Sequence, residues 1–478
     1  MEKSKRYTDI LKGNKSIGLV FAIILATTVL LLPLGLYPGE QKILAVTVLM
    51  VGMFVSNCAP LPVTGLIGCF LYWVFCDISF PEAFSGFSSN TPWFVLAALF
   101  IGAMANKTGI PERLAYLFLK HVNSSYAVLL AGLIVLDFIL TIVIPSGAAR
   151  VVVLCGIAVG LVKAFGLTMK SNIAKGMILV LCFSSTIFDK SILAGAASLL
   201  SRGVIESYTA TSINWGHWFI SYIPVDLIIM GACWFFTLKL FPPEISSFDK
   251  ELKGHLISED IIEGRPINAA FIRTAVLLLA AVVLWATDFL HGIPAAAIAI
   301  GVSMLAFLPK PIGVLDASDF KKTDFSTVVF VGTALSMGTV LADTTVLTHL
   351  SDVLFSGLAP FRDQPNLLSC GLYLLAFVFH IFLGSETALL STSMPMVMNF
   401  ATSYSLNPEV VGMIWTFAAG GKLFLYQSPI IALAYSYQSF TAKDLFKLGF
   451  VIAIVELFCV ALVVPFYWQS ILGVSFYV

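Results

Sequence analysis

Lys190 and Lys422 lie inside apolar segments, FSSTIFDKSILAGAAS and WTFAAGGKLFLYQSPI, at matching places in the two halves of the chain. Each precedes a Gly, Ser or Pro break in its hydrophobic run by about one helical turn. An ammonium group is costly to place in hydrocarbon, so a matched pair at helix breaks predicts an anion site shared by both halves at membrane depth, and hence a transporter. Each lysine follows a second polar interruption. Ser146-Gly147-Ala148 stands 44 residues before Lys190, counted from Ser146, and Ser385-Glu386-Thr387 stands 37 residues before Lys422, counted from Ser385. Helices that end at such tips direct unpaired N–H groups and positive dipole ends into a cavity. With Ala196 and Ser198 at the first break and Gln427 and Ser428 at the second, these tips and lysines form the expected substrate-binding set. Lys190, Lys422 and Glu386 are the expected coupling groups; no catalytic residue, metal site or cofactor is indicated.

The elements that position these groups must be membrane helices. Of 478 residues, 59% are hydrophobic and only 11% charged, and the mean hydropathy is +0.95, far above that of ordinary soluble proteins. Long Leu/Ile/Val runs exclude an outer-membrane barrel, which would show short alternating segments. The predicted class is an all-α polytopic membrane protein of about eleven crossings, with spans near 17–35, 42–58, 61–76, 92–105, 174–206, 215–240, 269–288, 293–308, 326–356, 408–437 and 444–471. Two further features, 126–164 and 366–403, have arms too short and too broken for pairs of full spans and read as re-entrant hairpins. The apolar segment from Ser16 to Leu36 lacks a small-residue cleavage site and reads as a retained first span. Loops holding Lys107, Arg113, Lys120, Lys163, Lys170, Lys175, Lys310, Lys321, Lys322, Lys443 and Lys447 all fall on one side, whereas the Asp77–Pro92 loop has no Lys or Arg. That asymmetry predicts a cytoplasmic N-terminus in a bacterial-style inner membrane or plasma membrane.

The polar stretch 241–268 reads as a cytoplasmic linker at the repeat boundary. It divides scaffold spans 1–121 and transport elements 122–240 of the first repeat from scaffold spans 269–365 and transport elements 366–478 of the second. Each half repeats hairpin, then broken helix, with an odd number of elements, so the copies should be inverted and both tips should face one cavity. Eight cysteines fall mostly in apolar runs without paired CxxC spacing and read as core residues.

At this point the chain resembles the divalent anion/sodium symporter family over nearly its whole length. The resemblance is carried by FSSNTPWFVLAALFIGAMANKTGIPERLAY, IPSGAAR, ILAGAAS, WGHWFISYIPV, FLGSETALLSTSMP and TAKDLFKLG. It implies a carrier of di- or tricarboxylates, or of sulfate in some branches, with a dimeric scaffold and a transport domain that moves like an elevator. A small anionic substrate, the lipid bilayer and a homodimer are the expected partners, and nucleic acid is not. Family tips usually read Ser-Asn-Thr. Here Ser146-Gly147-Ala148 loses the amide and second hydroxyl, and Ser385-Glu386-Thr387 puts a carboxylate in place of the amide.

Two readings follow. In one, Lys190 and Lys422 supply the charge that sodium supplies in the family; transport is then exchange, or proton symport through Glu386, and the empty carrier stays cationic. In the other, the lysines pair with Asp189 and Glu386 while sodium still binds, giving a conventional sodium-coupled dicarboxylate or sulfate symporter. Asp137 and His380, in the first arms of the hairpins, read as satisfied hydrogen-bonding groups. Arg150 reads either as a bidentate substrate ligand or as a cap on carbonyls. Asp226 and Glu456 read as paired within the protein. A membrane-embedded hydrolase would need a nucleophile with its base or a zinc helix, and neither pattern is evident; an anion channel has no use for inverted broken repeats.

Overall fold

The computed structural model describes residues 2–478 apart from 112, 115–116, 118–124, 145, 194, 210–211, 246–266, 343 and 384. Most of the expected linker, the first domain boundary, and Pro145, Ala194 and Gly384 therefore lie outside the described residues. In the first half, α1 (Glu2–Leu31), α2 (Pro38–Ser56), α3 (Leu61–Phe75) and α4 (Asn90–Thr108) precede a hairpin of α5 (Tyr126–Val143) and α6 (Gly147–Ala164). A broken helix, α7 (Asn172–Ser191) and α8 (Ala196–Thr209), and then α9 (Trp215–Leu240) complete it.

The second half runs through α10 (Ala269–Ala286), α11 (Ala295–Ala306), α12 (Ala317–Lys322), α13 (Phe325–Ala342) and α14 (Thr345–Phe355) to a hairpin of α15 (Pro365–Phe382) and α16 (Glu386–Ser403). The broken pair α17 (Pro408–Gly420) and α18 (Pro429–Tyr435) follows, then α19 (Ala442–Phe458) and α20 (Val464–Ser470). No strand occurs among the described residues. Seven described helices are long and apolar enough to cross a membrane, and four shorter apolar ones accompany them. The protein is an all-α polytopic membrane protein. The run 326–356, expected as one span, is divided into α13 and α14.

The chain punctuates these helices with short-range chemistry. Ser125 and Ser171 cap α5 and α7 by accepting the amides of Val128 and Ala174. Proline opens α2, α15, α17 and α18, where the missing N–H costs nothing. Ile272, Val276, Leu279 and Val283 form an exposed apolar row at helical spacing on α10, as a lipid-facing helix requires.

Packing between the halves is reciprocal. Helix α3 packs on α13 while α11 packs on α4, and α8 packs on α16 while α18 packs on α6. Within each half the broken helix lies against both arms of its own hairpin. This exchange of equivalent contacts brings two tips and two breaks together. The second break is pressed close by α19: a Cβ on Gly449 would stand 2.1 Å from the carbonyl oxygen of Lys422. Gly449→Ala should therefore cost about 1–3 kcal/mol through overpacking, read as a lower thermal unfolding midpoint of the purified protein.

Candidate functional site

The first tip is organised around a fully buried arginine. Arg150, on the first turns of α6, donates from Nε to Asp137 Oδ1 at 3.1 Å and from Nη2 to Asp189 Oδ1 at 2.7 Å. It also donates to the carbonyls of Ile144 at 2.8 Å, just past the end of α5, and of Ser185 at 2.9 Å, within α7. Asp137 further accepts from Ser184 at 2.6 Å and Ser185 at 3.0 Å. Arg150 is thus a carbonyl cap and an ion-pair partner, and it does not reach the cavity. Ser146 caps α6 through Ala149 at 3.3 Å. Gly147 is required by contact: a Cβ there would fall 2.4 Å from Asp189 Oδ2 and 2.5 Å from Ile430 Cδ1.

The second break is held by a side-chain amide. Gln427 Oε1 accepts the amides of Leu423 at 2.6 Å and Phe424 at 2.8 Å, and its Nε2 donates to the His380 carbonyl at 3.2 Å. These bonds satisfy backbone that leaves the helix at membrane depth, where an unpaired amide is costly. The buried ammonium of Lys422 meets Glu386 Oε1 at 2.6 Å and His380 Nε2 at 3.0 Å. At the tip, the Ser385 and Thr387 hydroxyls are 2.9 Å apart.

A cavity of about 270 Å³ opens where these parts meet. Its wall includes Ser146, Gly147 and Ala148 of the first tip, Ser385, Glu386 and Thr387 of the second, and Ala196, Ser198 and Ser428 of the breaks. The N-termini of α6, α8 and α16 all end at this wall. Ser428 is part of this wall, and its Oγ is buried without a hydrogen-bond partner among the described residues. Positive helix ends and free hydroxyls are the means by which a protein holds an anion without a fixed counter-ion. A second cavity of about 280 Å³ shares Ala98, Leu99 and Ser146 with the first and extends along α4 to Asp319 and Lys322.

The two lysines sit differently from the simple expectation. Lys190 reaches the cavity wall, yet its ammonium binds Asp226 Oδ1 at 3.0 Å and Glu456 Oε1 at 3.3 Å and lies 4.3 Å from the Phe417 ring centroid. It does not pair with Asp189. Neighbouring positions on a helix point about 100° apart, so Asp189 turns to the cavity and Arg150 while Lys190 turns to α9 and α19. Lys422 does pair with Glu386, as one reading expected, but neither Lys422 nor Gln427 is part of the cavity wall: Gln427 holds the backbone of the break and Lys422 holds Glu386. The cation-rich cavity also fails: around the site Arg150, Lys190 and Lys422 face Asp137, Asp189, Asp226, Glu386 and Glu456, a formal excess of two negative charges. Residues not expected as ligands, Asp189, Thr327 and Thr416, complete the wall with Thr186. Thr416 and Thr186 bond back to their own helices, to the Gly412 and Cys182 carbonyls, and nothing in their sequence context separates them from ordinary helical threonines.

Two halves that gather broken backbone around one buried cavity have the build of a membrane transporter. A family profile described as "Sodium:sulfate symporter transmembrane region" matches residues 13–474, and the chain belongs to that family of transporters, not of enzymes. It is 24% identical to "Dicarboxylate transporter 1, chloroplastic" of Spinacia oleracea over 92% of this chain and 78% of that one. It is also 24% identical to "L-tartrate/succinate antiporter" of Escherichia coli (strain K12), over 78% of each chain. Among solved structures, Neisseria gonorrhoeae MtrF, described as illuminating a class of antimetabolite efflux pumps, superposes with a TM-score of 0.56 at 12% identity, covering 96% of this chain and 94% of that one. At that identity the likeness concerns the fold.

Arg150→Met should leave the buried Asp137 and the partly exposed Asp189 without their cation and cost about 3–5 kcal/mol. Thermal unfolding of the variant measures this, and adding Asp137→Asn should recover part of the loss.

Proposed function

We propose that this protein is a secondary active transporter of small organic dianions, dicarboxylates first and tricarboxylates within reach, working by an elevator movement. The observation that carries the reading is the convergence of three helix N-termini and the unpaired Ser428 hydroxyl on one cavity between the two tips. The printed names of the Spinacia and Escherichia relatives point to the same substrate class. The transport domain comprises 122–240 and 366–478; the scaffold comprises 1–121 and 269–365 and carries a homodimer interface. The N-terminus is cytoplasmic, in a bacterial-type inner membrane, and the second cavity toward Asp319 and Lys322 is the path from the cytoplasm.

The coupling ion in this reading is a proton. At the second tip the Lys422 ammonium stands against Glu386, one positive charge to one negative, so the pair leaves no net charge there. At the first tip Arg150 serves two carboxylates, Asp137 with additional hydroxyl donors and Asp189 with its side chain 17% exposed at the cavity. The uncompensated charge beside the substrate is therefore on Asp189, and a dianion entering beside it is electrostatically disfavoured unless a proton accompanies it. Asp189, in place of the expected Glu386, is the proposed proton-exchanging group. Fixed positive charge no longer enforces obligatory exchange. Sodium-coupled dicarboxylate or sulfate symport is the second reading, favoured by the family's description.

The test is uptake of labelled succinate into substrate-free proteoliposomes with an inward proton gradient, with and without sodium. Uptake without sodium is expected, and Asp189→Asn should remove its acid stimulation; a strict sodium requirement would select the second reading. Ser428→Ala should raise KM by roughly three- to tenfold, the worth of one hydrogen bond, with the thermal midpoint unchanged.

A further inference from the structure

Helix α9 begins without a cap of its own. Asn214 stands at its N-cap position, and asparagine is among the residues best suited to that task, yet its side chain makes no bond to the first turn. The cap comes from elsewhere in the chain. Asp288, just past the end of α10, accepts the Trp215 amide on Oδ2 at 2.6 Å. A carboxylate there serves one of the amides that have no partner within the helix and meets the positive end of its dipole.

This borrowed cap joins two separately packed groups of helices. Trp215 stacks on Phe219 with ring centroids 5.2 Å apart, Phe219 lies 6.5 Å from Phe138 of α5, and α9 itself packs on α7 and α19. Trp285 of α10 instead lies 6.4 Å from Phe94 of α4 and donates to the Ala295 carbonyl, at the start of α11, at 3.1 Å. Between the two groups, the rings of Trp215 and Trp285 stack with centroids 6.2 Å apart. The joint is incompletely satisfied: Trp215 Nε1 and Asp288 Oδ1 are both buried without a hydrogen-bond partner among the described residues. Burying an unpaired donor and an unpaired acceptor offsets what the stack and the cap contribute, so the joint is one that can open. Asn214 meanwhile is exposed, with its side chain idle.

We propose, on the elevator reading in which 122–240 moves against 269–365, that the cap of α9 is exchanged between two residues. Asp288 holds it while the two groups are docked as here. When they part, the bond from Trp215 to Asp288 breaks, the carboxylate regains water, and Asn214 Oδ1 turns to accept the Gly216 or His217 amide. The helix end keeps one capping acceptor throughout, and undocking does not strand its first turn.

The test is hydrogen–deuterium exchange of the full-length protein in lipid nanodiscs, read by mass spectrometry on peptides that cover the first turn of α9. Asn214→Ala should leave that turn as in wild type, and Asp288→Ala should speed its exchange by no more than about twofold, because Asn214 takes over. The double variant should speed it by roughly fivefold or more, the worth of one N-cap. Asp288→Val, nearer in volume, makes the same comparison if the alanine variant fails to fold. Asp288→Ala alone as fast as the double variant, or Asn214→Ala already fast, would overturn the proposal. Asn214→Ala should also lower succinate turnover roughly two- to fivefold at an unchanged thermal midpoint, since only the parted arrangement loses its cap; unchanged turnover in a protein whose wild type carries succinate would overturn the exchange of caps. The exchange readout needs no substrate, so failure of the transport reading, seen as a wild type that carries no succinate, is separate from it.

Discussion

The cost of a charge in a dry, apolar interior governs this structure. Backbone that leaves a helix at membrane depth needs strong donors and acceptors to replace its lost partners, and such groups bring charges that must themselves be matched. Arg150 does both tasks at the first tip, capping the Ile144 and Ser185 carbonyls while neutralising acidic side chains. At the second break the work is divided: Gln427 satisfies the backbone and Lys422 holds Glu386 at the tip. The cations that border the cavity are paired, so helix ends and hydroxyls face a ligand beside the carboxylates of Asp189 and Glu386.

This division explains why altered tips need not disable the site. The absence of a side chain at Gly147 makes room, since Asp189 and Ile430 occupy the space that one would need. Glu386 at the second tip, which would repel an anion alone, is neutralised by a lysine from a different element 36 residues later. The two halves thus solve one problem with different residues, while their helices keep reciprocal packing.

Much of the architecture was legible in the chain. Apolar run lengths located the helices, and Gly, Ser and Pro marked both hairpins and both breaks, because only those residues interrupt hydrocarbon-spanning helices so sharply. The tips and the small residues Ala196, Ser198 and Ser428 were found from the Gly, Ser and Pro interruptions together with the resemblance to the family's Ser-Asn-Thr tips. Side-chain direction was not legible. Asp189 and Lys190 are adjacent, and only the packing of α7 against α6 on one side and α9 on the other decides which faces the cavity. Nor could spacing reveal that Asp226 and Glu456, 230 residues apart, converge on one ammonium. Thr416 carries no local mark of its position, since a hydroxyl bonded to its own helix reads the same in a wall or in a core.

The most direct measurement is an electron cryo-microscopy structure of the purified protein with bound succinate. The account requires the substrate carboxylates to lie against the two tips, near Ser146, Ser385 and Ser428, with the Lys190 ammonium still between Asp226 and Glu456. A substrate carboxylate bound directly to Lys190, with Asp226 or Glu456 released, would contradict it.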